Sequence, residues 1–408
     1  MASNGTGLLV VGGGLASARA VKAYREAGGE GAVTLISADD FLPYHRPPLS
    51  KKFLRGESEA EDALVESEAF YREHDIDVVL GTRATGFRAD ERVVVATDGE
   101  HRFEKLLIAT GASPNRLDVP GADRDEVFTL RTIDNSKAIR DAASEARHAV
   151  VVGAGFIGME VAASLSQLEL EVTLVHRGKG LFETLRARQL AQFLTELYGT
   201  KGVNLVLGDE VAEFAGRDSL DSVRTKRGEV YQAELAVVGV GVRPNTDWLD
   251  GGLRIDDGVI VNERYETGLP DVWAVGDVAR FYDPLFERYR RIEHWSNANH
   301  QGTDVGKLIA GGDGGYDIVS TFFSEVFGVT FKVFGDIDEF DEIVIRGSLD
   351  DGDAIAFYLS GDRLVACLLT GQDDDTEAKL KELIAARATV SDLEALVRGD
   401  DLESVFAR

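Results

Sequence analysis

Two runs of apolar, largely β-branched residues, at positions 8–11 and 149–152, are each followed directly by closely spaced glycines. A helix-like stretch follows in both places, at residues 18–27 and 159–168. This order of strand, tight turn and helix is the context in which a glycine-rich turn binds the pyrophosphate of a dinucleotide. The helix N-terminus offers free N–H groups to the phosphates, and the glycines let the backbone approach them. The repetition predicts two dinucleotide sites in one chain.

The two turns differ in completeness. The second has the full Gly-x-Gly-x-x-Gly pattern, whereas the first carries Ser17 at the place of the third glycine. Serine is small enough to let the helix pack closely on the strand. Either turn alone could be only a tight connection between strand and helix, so the repetition is what favours nucleotide binding.

The remaining hydrophobic pattern separates the chain into regions of different character. Strands and helices alternate along residues 8–107, and again from residue 149 to the apolar run 235–242, which predicts parallel sheets. Beyond residue 315, strands are predicted at 329–335, 341–348, 354–359 and 363–369, and helices at 376–388 and 391–397. The predicted fold class is α/β, with two Rossmann-like nucleotide-binding domains and a C-terminal α+β domain.

Composition narrows the functional classes. The chain has 408 residues, enough for two or three domains, and its 71 acidic and 44 basic residues give a net charge of −27. We interpret this as a solvated acidic surface, which disfavours binding to nucleic acid or anionic membranes. No secretion signal and no bilayer-spanning apolar run is recognisable, so a cytoplasmic protein is expected. Cys367 is the single cysteine, which excludes an intrachain disulfide and a thiol relay; we predict that it lies in the core.

Further motifs lie at 43–51, 109–111, 130–132, 239–245, 276–277, 293–295 and 322–325. Together with the two glycine turns, at 12–17 and 153–160, and in this specific joint order, they resemble those of the FAD-dependent ferredoxin reductases that serve oxygenases. The resemblance covers essentially the whole chain and implies a glutathione-reductase-like arrangement. An FAD domain of residues 1–114 and 245–315 would be interrupted by an NAD(P) domain of residues 115–244 and followed by a C-terminal domain of residues 316–408.

The resemblance also implies two sets of ligand-binding residues. For FAD these are Gly12, Gly14, Ala16, Ser17, Asp39, Arg46, Lys51, Ala84, Thr110, Gly111, Arg131, Gly276, Asp277 and Trp295. For NAD(P)H they are Gly153, Gly155, Ile157, Gly158, Glu160, His176, Arg177 and Gly241. Asp277 would hold the ribityl chain and Trp295 would lie near the isoalloxazine ring. The alternatives are a helix N-cap for Asp277, a core position for Trp295, and surface ion pairs for Arg46 and Arg131.

Lys51 and Glu160 are the predicted catalytic residues. In related enzymes the matching residues form an ion pair beside flavin N5 and the nicotinamide. A desolvated cation there could stabilise the negative charge of reduced flavin, with the carboxylate holding the lysine in place. The alternative is that Glu160 only complements the helix dipole while Lys51 is solvated.

Two positions depart from the family pattern. After the first domain's second strand, Ala38 stands where a ribose-binding acid is expected, and Asp39 is predicted to substitute. After the second domain's corresponding strand, His176 and Arg177 stand where relatives that prefer NADH usually carry an acid. Because a cationic group accommodates a 2′-phosphate, we expect NADPH as the preferred donor over NADH.

The predicted activity is NAD(P)H-dependent reduction of an iron–sulfur ferredoxin or rubredoxin by a monomeric or homodimeric protein. Arg288, Arg290 and Arg291 could dock an acidic ferredoxin, or could instead form intramolecular ion pairs. No metal-ligand spacing is found. An NAD(P)H oxidase or a peroxide or disulfide reductase is the alternative enzyme, although residues 41–51 lack the redox cysteine of such enzymes. A redox-sensing protein resembling apoptosis-inducing factor is the alternative outside catalysis.

Overall fold

The computed structural model describes residues 6–399 and 401–407. The chain divides into two compact units, each built from discontinuous segments. The first unit contains Met1–Pro47, Glu59–Ser113 and Val242–Ile318, and the second contains Pro48–Ser58, Pro114–Gly241 and Val319–Arg408.

The helices and strands follow in chain order. Up to residue 114 they are β1 (Thr6–Val11), α1 (Leu15–Glu26), β2 (Val33–Ile36), α2 (Glu68–Glu73), β3 (Ile76–Val79), β4 (Ala84–Arg88), β5 (Val93–Ala96), β6 (Gly99–Ile108) and β7 (Ala112–Pro114). Next come β8 (Val127–Phe128), α3 (Ile133–Glu145), β9 (His148–Val152), α4 (Phe156–Gln167), β10 (Glu171–His176), α5 (Arg188–Thr200), β11 (Asn204–Leu207), β12 (Val211–Ala215), β13 (Ser222–Thr225), β14 (Val230–Gln232) and β15 (Leu235–Val238). They are followed by β16 (Val242–Pro244), β17 (Val259–Val261), β18 (Val272–Ala274), β19 (Ala279–Asp283), β20 (Arg288–Arg290) and α6 (Trp295–Ile309). The last are β21 (Thr321–Val326), β22 (Val329–Gly335), β23 (Glu342–Ser348), β24 (Asp353–Ser360), β25 (Arg363–Thr370), α7 (Asp374–Ala385), β26 (Thr389–Val390), α8 (Leu393–Arg398), α9 (Leu402–Val405) and β27 (Phe406–Ala407).

The first unit is built on a mixed sheet in the order β3-β2-β1-β6-β5-β4, with β18 also paired to β6. Strands β3, β2, β1, β6 and β18 are parallel, and β5 and β4 add an antiparallel edge. In β1, Leu8 to Val11 are all buried, as expected for a parallel strand covered on both faces. Helices α1 and α6 cross closely, because a Cβ at Gly302 would lie 2.4 Å from the Ala16 carbonyl oxygen.

The second unit contains a parallel sheet in the order β11-β10-β9-β15-β8 and an antiparallel ribbon, β12-β13-β14. Its C-terminal part is an antiparallel sheet in the order β21-β22-β25-β24-β23. The interior positions of β24 and β25 are buried on both faces of that sheet. Cys367 lies in β25 and is fully buried, which confirms the prediction of a core cysteine.

The fold class is confirmed, and β22 has the predicted bounds. Helices α1 and α4 begin three residues earlier than predicted, because Gly14 and Gly155 are their N-caps. Strand β21, helices α3 and α5, and the ribbon of β12 to β14 were not predicted. The division into three domains with boundaries near residues 114, 245 and 315 stays a prediction. Within the described ranges, no helix has the length and apolar character needed to cross a bilayer.

Candidate functional site

The first glycine turn connects β1 to α1. Gly12 has φ +126°, and a Cβ there would lie 2.2 Å from the carbonyl oxygen of Ala109, so only glycine fits. At Gly14 the nearest atom to an added Cβ is Arg46 Nη1, at 3.4 Å. Ser17 is fully buried in α1, which shows that a serine fits where the third glycine is expected. The turn therefore fits a pyrophosphate, because its first position is tightly packed against backbone and its second is approached only by the end of a cationic side chain.

The second turn, between β9 and α4, has the complete set of glycines in distinct roles. A Cβ at Gly153, which has φ +104°, would lie 2.2 Å from the Gly239 carbonyl oxygen. A Cβ at Gly158 would lie 2.0 Å from the Gly153 carbonyl oxygen, so this glycine permits close packing of helix on strand. A Cβ at Gly155 would have no atom within 4 Å. Open space at the middle glycine is what a bound pyrophosphate requires.

Lys51 and Glu160 form a partly desolvated ion pair inside the second unit. The distance from Lys51 Nζ to Glu160 Oε2 is 2.6 Å, and the two side chains are 14% and 5% exposed. Glu160 lies in α4, one turn after its start, and is buried. Lys51 is not solvated as the helix-dipole alternative assumed. The carboxylate also accepts the hydroxyl hydrogen of Ser50 at Oε2, at 2.5 Å, and that of Ser324 at Oε1, at 2.7 Å.

The segment that carries Lys51 is fixed by backbone contacts. Ser164 of α4 donates its hydroxyl to the Ser50 carbonyl at 2.6 Å, and Ser136 of α3 donates to the Leu49 carbonyl at 2.7 Å. A single 3₁₀ turn, Pro47–Ser50, precedes Lys51. These bonds hold the Lys51 backbone over α4, so the position of its ammonium group is set by both α3 and α4.

Ser324 is the site residue that sequence reasoning missed. It belongs to β21, in the C-terminal sheet, and is fully buried. The motif at 322–325 pointed to this stretch, but no sequence pattern links it to a carboxylate 164 positions earlier. Tyr198 lies beneath the same helix and donates its hydroxyl to the Met159 carbonyl at 2.7 Å. Burial, with a smaller contribution from the Glu160 charge, raises the pKa of Tyr198, so its phenol stays a neutral donor.

Trp295 is placed at the start of α6 in the first unit and is 36% exposed, unlike a core residue. Its indole N–H donates to His45 Nδ1 at 2.8 Å. Burial, followed by the nearby Arg19 charge, lowers the pKa of His45, while Glu66 opposes the shift. His45 is therefore neutral at pH 7 and can accept this hydrogen bond, which fixes the orientation of the exposed indole.

Asp39 and Asp277 have different surroundings in the first unit. Asp39 accepts the Tyr44 hydroxyl at 2.6 Å and the Phe41 N–H at 3.3 Å. Asp277 is half-buried in the 3₁₀ turn Gly276–Val278, whose N-cap is Val275, so the helix N-cap alternative does not apply. Both carboxylates are held at strand ends, where the FAD assignment places them.

The other predicted FAD residues lie in both units. In the first unit, Asn245 exchanges hydrogen bonds with Thr110, its Nδ2 donating to the Thr110 carbonyl at 2.8 Å. Gly111 follows with φ +66°. The Arg46 guanidinium lies 5.3 Å from the centre of the Tyr44 ring. The remaining positions are Ala16 in α1, Ala84 as the first residue of β4, and Arg131, in the second unit, directly before the Thr132 N-cap of α3.

The remaining predicted nucleotide residues all lie in the second unit. Ile157 is on the first turn of α4 and is 40% exposed. Gly241 is exposed and has φ +94°. His176 ends β10, and its Nδ1 accepts the Ala154 N–H at 3.3 Å, so it contacts the glycine turn directly.

The arginine cluster is largely compensated within the first unit. Arg290 pairs with the buried Asp283 at 2.9 Å. Arg291 pairs with Asp257 at 3.1 Å and with Glu293. The structure thus favours intramolecular ion pairs over docking for Arg290 and Arg291.

The comparisons with known proteins agree with this geometry. Residues 6–302 match the family described as pyridine nucleotide-disulphide oxidoreductase. The chain belongs to this family. Its members are oxidoreductases that bind FAD and NAD(P)H. Residues 321–405 of this oxidoreductase match the reductase C-terminal family. The protein has a single cysteine, Cys367, which is buried in β25. It therefore has no cysteine pair for disulfide chemistry.

Several relatives of this oxidoreductase serve oxygenases. The chain is 34% identical to the chlorobenzene dioxygenase ferredoxin reductase component of Cupriavidus sp. (strain PS12), over 94% of each chain. It is 31% identical to putidaredoxin reductase CamA of Pseudomonas putida, over 88% of this chain and 87% of that protein. The crystal structure of the covalent putidaredoxin reductase–putidaredoxin complex contains a similar chain, with a TM-score of 0.91 and 29% identity, over 97% of this chain and all of that one.

Proposed function

We propose that this oxidoreductase is an NAD(P)H-dependent ferredoxin reductase. FAD would bind at the first glycine turn and the nicotinamide nucleotide at the second, with residues 1–114 and 245–315, 115–244 and 316–408 as the domains. Bound FAD would accept a hydride and release its electrons singly, which suits an iron–sulfur ferredoxin or rubredoxin. The partly desolvated Lys51–Glu160 pair is the observation that carries the proposal, since the alternative for these two residues predicted a solvated lysine.

The protein's own contribution to flavin reduction is a fixed positive charge. The Lys51 ammonium is held at 2.6 Å from a carboxylate and is only 14% exposed, so its field is weakly screened by water. A cation held in place before reaction stabilises negative charge that develops in the transition state. Glu160 orients Lys51, and Ser50 and Ser324 orient Glu160 in turn.

We further propose NADPH as the preferred donor. His176 ends β10 and Arg177 follows it, exposed, at the place where an acid would accept the 2′-hydroxyl of NADH. Comparing kcat/KM for NADPH and NADH tests this; a strong preference for NADH would contradict it.

The activity is tested with purified, FAD-loaded protein. We expect rapid cytochrome c reduction through added [2Fe-2S] ferredoxin or rubredoxin. No transfer to any iron–sulfur partner, with a long-lived charge-transfer complex and nucleotide-linked dimerisation, would favour the redox-sensor alternative.

The catalytic role is tested by stopped-flow flavin reduction. Lys51→Ala should slow it about 100-fold, the scale of losing one preorganised electrostatic contact. Lys52→Ala is the matched control, because Lys52 is the adjacent, exposed lysine. Equal rates for wild type and Lys51→Ala would remove the catalytic role.

A further inference from the structure

The loop after β10 binds a carboxylate supplied by the chain itself. Glu183 Oε1 accepts the backbone N–H of Lys179 at 2.6 Å and that of Gly180 at 2.9 Å. Its Oε2 lies 3.9 Å from His176 Nε2. Gly178 makes room for this contact, because a Cβ there would lie 2.1 Å from Glu183 Oε2.

The position of Glu183 is set by its neighbours. Phe182 and Arg186, on either side of the 3₁₀ turn Glu183–Leu185, both have φ +51°, a conformation that is unfavourable for residues with a side chain. Phe182 is held there by packing: it is buried, its ring lies 4.8 Å from that of Phe156, and its N–H donates to the Ala154 carbonyl at 3.2 Å. The turn that presents Glu183 is therefore tied to the second glycine turn through Ala154 and Phe156.

The groups around the carboxylate form an anion site. Burial, followed by the Arg177 charge, lowers the pKa of His176, while Glu183 opposes the shift. Since Nδ1 of this ring accepts the Ala154 N–H, its proton is on Nε2, the atom that faces Glu183. Arg177 and Lys179 are exposed, and neither forms a salt bridge with any residue in 6–399 or 401–407. Two backbone N–H groups thus bind one exposed carboxylate, an imidazole N–H faces it, and two exposed cations belong to the same loop.

We propose that Glu183 is an intramolecular competitor of the NADPH 2′-phosphate and that it weakens the preference of this protein for NADPH over NADH. The inference rests on the proposed function, in which the second glycine turn binds NAD(P)H. In a dinucleotide-binding βαβ unit, the residues after the second strand contact the 2′ position of the ribose. A 2′-phosphate would need the donors that Glu183 now holds, so the carboxylate must leave when NADPH binds. NADH carries no charge at this position and does not require that exchange.

The test compares two ligands that differ only at the 2′ position, 2′,5′-ADP and 5′-AMP, by calorimetry on FAD-loaded protein. Glu183→Gln keeps the oxygen that accepts both N–H bonds, so the turn is retained while the competing charge is lost. We expect its Kd for 2′,5′-ADP to fall about tenfold and its Kd for 5′-AMP to stay within about twofold of wild type. Glu183→Ala, which removes the competitor altogether, should tighten 2′,5′-ADP binding at least as much. Glu171→Gln, the same charge change at the opposite end of β10, should alter neither.

A Kd for 2′,5′-ADP that stays at the wild-type value in both Glu183 variants would overturn the inference. Weaker 5′-AMP binding in Glu183→Gln would also overturn it, because Glu183 would then act as the ribose-binding acid of an NADH enzyme. Neither ligand contains a nicotinamide that could reduce the flavin, so the result does not depend on electron transfer to ferredoxin. If the reductase assay failed while the Glu183 variants still bound 2′,5′-ADP more tightly than wild type, only the proposed function would be rejected.

Discussion

Ser324→Ala should slow flavin reduction without weakening nucleotide binding. Ser324 donates to Oε1 of Glu160 at 2.7 Å, whereas Ser50 and Lys51 both contact Oε2. Removing this hydroxyl therefore leaves the carboxylate held at one oxygen. The carboxylate can then rotate, and the Lys51 ammonium loses its fixed position.

The size of the effect follows from the chemistry of the bond. A hydrogen bond to a charged group contributes about 1.5–3 kcal/mol, and Ser324 is fully buried, which limits replacement by water. If about half of that free energy orients Lys51 in the transition state, the rate falls roughly three- to tenfold, since about 1.4 kcal/mol is a factor of ten.

The assay is stopped-flow flavin reduction at saturating nucleotide, with the nucleotide KM measured in parallel. Ser324→Thr retains the hydroxyl and should restore most of the rate. Ser320→Ala is the matched control, because Ser320 is a buried serine of the same unit that donates to the Gly335 carbonyl at 3.4 Å. A reduction rate in Ser324→Ala within about twofold of wild type, or an equal loss in Ser320→Ala, would refute the positioning role.

Two further predictions concern stability. Gly306→Ala should destabilise the protein by about 1–3 kcal/mol through overpacking, because its Cβ would lie 2.3 Å from the Ala20 carbonyl oxygen. Gly199→Ala, in helix α5, adds a Cβ with no atom within 4 Å and should stabilise the protein by up to about 1 kcal/mol. Urea unfolding compares the two variants. Burial lowers the pKa of His294 to about 4 from its ordinary 6.5, so the unfolded chain takes up this proton first as the pH falls. The free energy of unfolding therefore decreases as the pH falls from 6.5 to about 4, by about 2 kcal/mol at pH 5. An NMR titration of the His294 ring that showed protonation near pH 6.5 would contradict this.

The elements that could be predicted from the sequence are those whose residue types are set by nearby contacts or by burial, namely the glycine turns and the central strands. The glycine turns were recognisable because the first glycine of each is required by a steric contact close by, such as that between Gly153 and Gly239. The central strands were recognisable because burial on both faces demands continuous apolar runs, as in Leu235–Val238. Bounds were less certain, since the helices begin at their glycine caps and not at the first strongly helical residues.

Contacts between distant segments could not be predicted in this way. Ser50, Glu160 and Ser324 are separated by more than a hundred positions, and a serine carries no pattern that marks it as a partner of a carboxylate. Glu183 was missed for a related reason, because its contact depends on the left-handed conformation of Phe182. The close crossing of α1 and α6 did have a signal, the two glycines Gly302 and Gly306 placed four residues apart in a helix.

The contacts of Glu160 give the C-terminal sheet a part in the proposed chemistry. Besides the hydrogen bond from Ser324, β21 places Phe322 against Phe156, the first residue of α4, with ring centres 4.8 Å apart. The sheet thus contacts both the start of α4, where the nucleotide phosphates are proposed to bind, and the carboxylate one turn further along. Because a buried carboxylate keeps its orientation only while its donors stay in place, a change in β21 would reach Lys51 through a single hydrogen bond. On this basis the C-terminal sheet completes the proposed site that the second glycine turn begins.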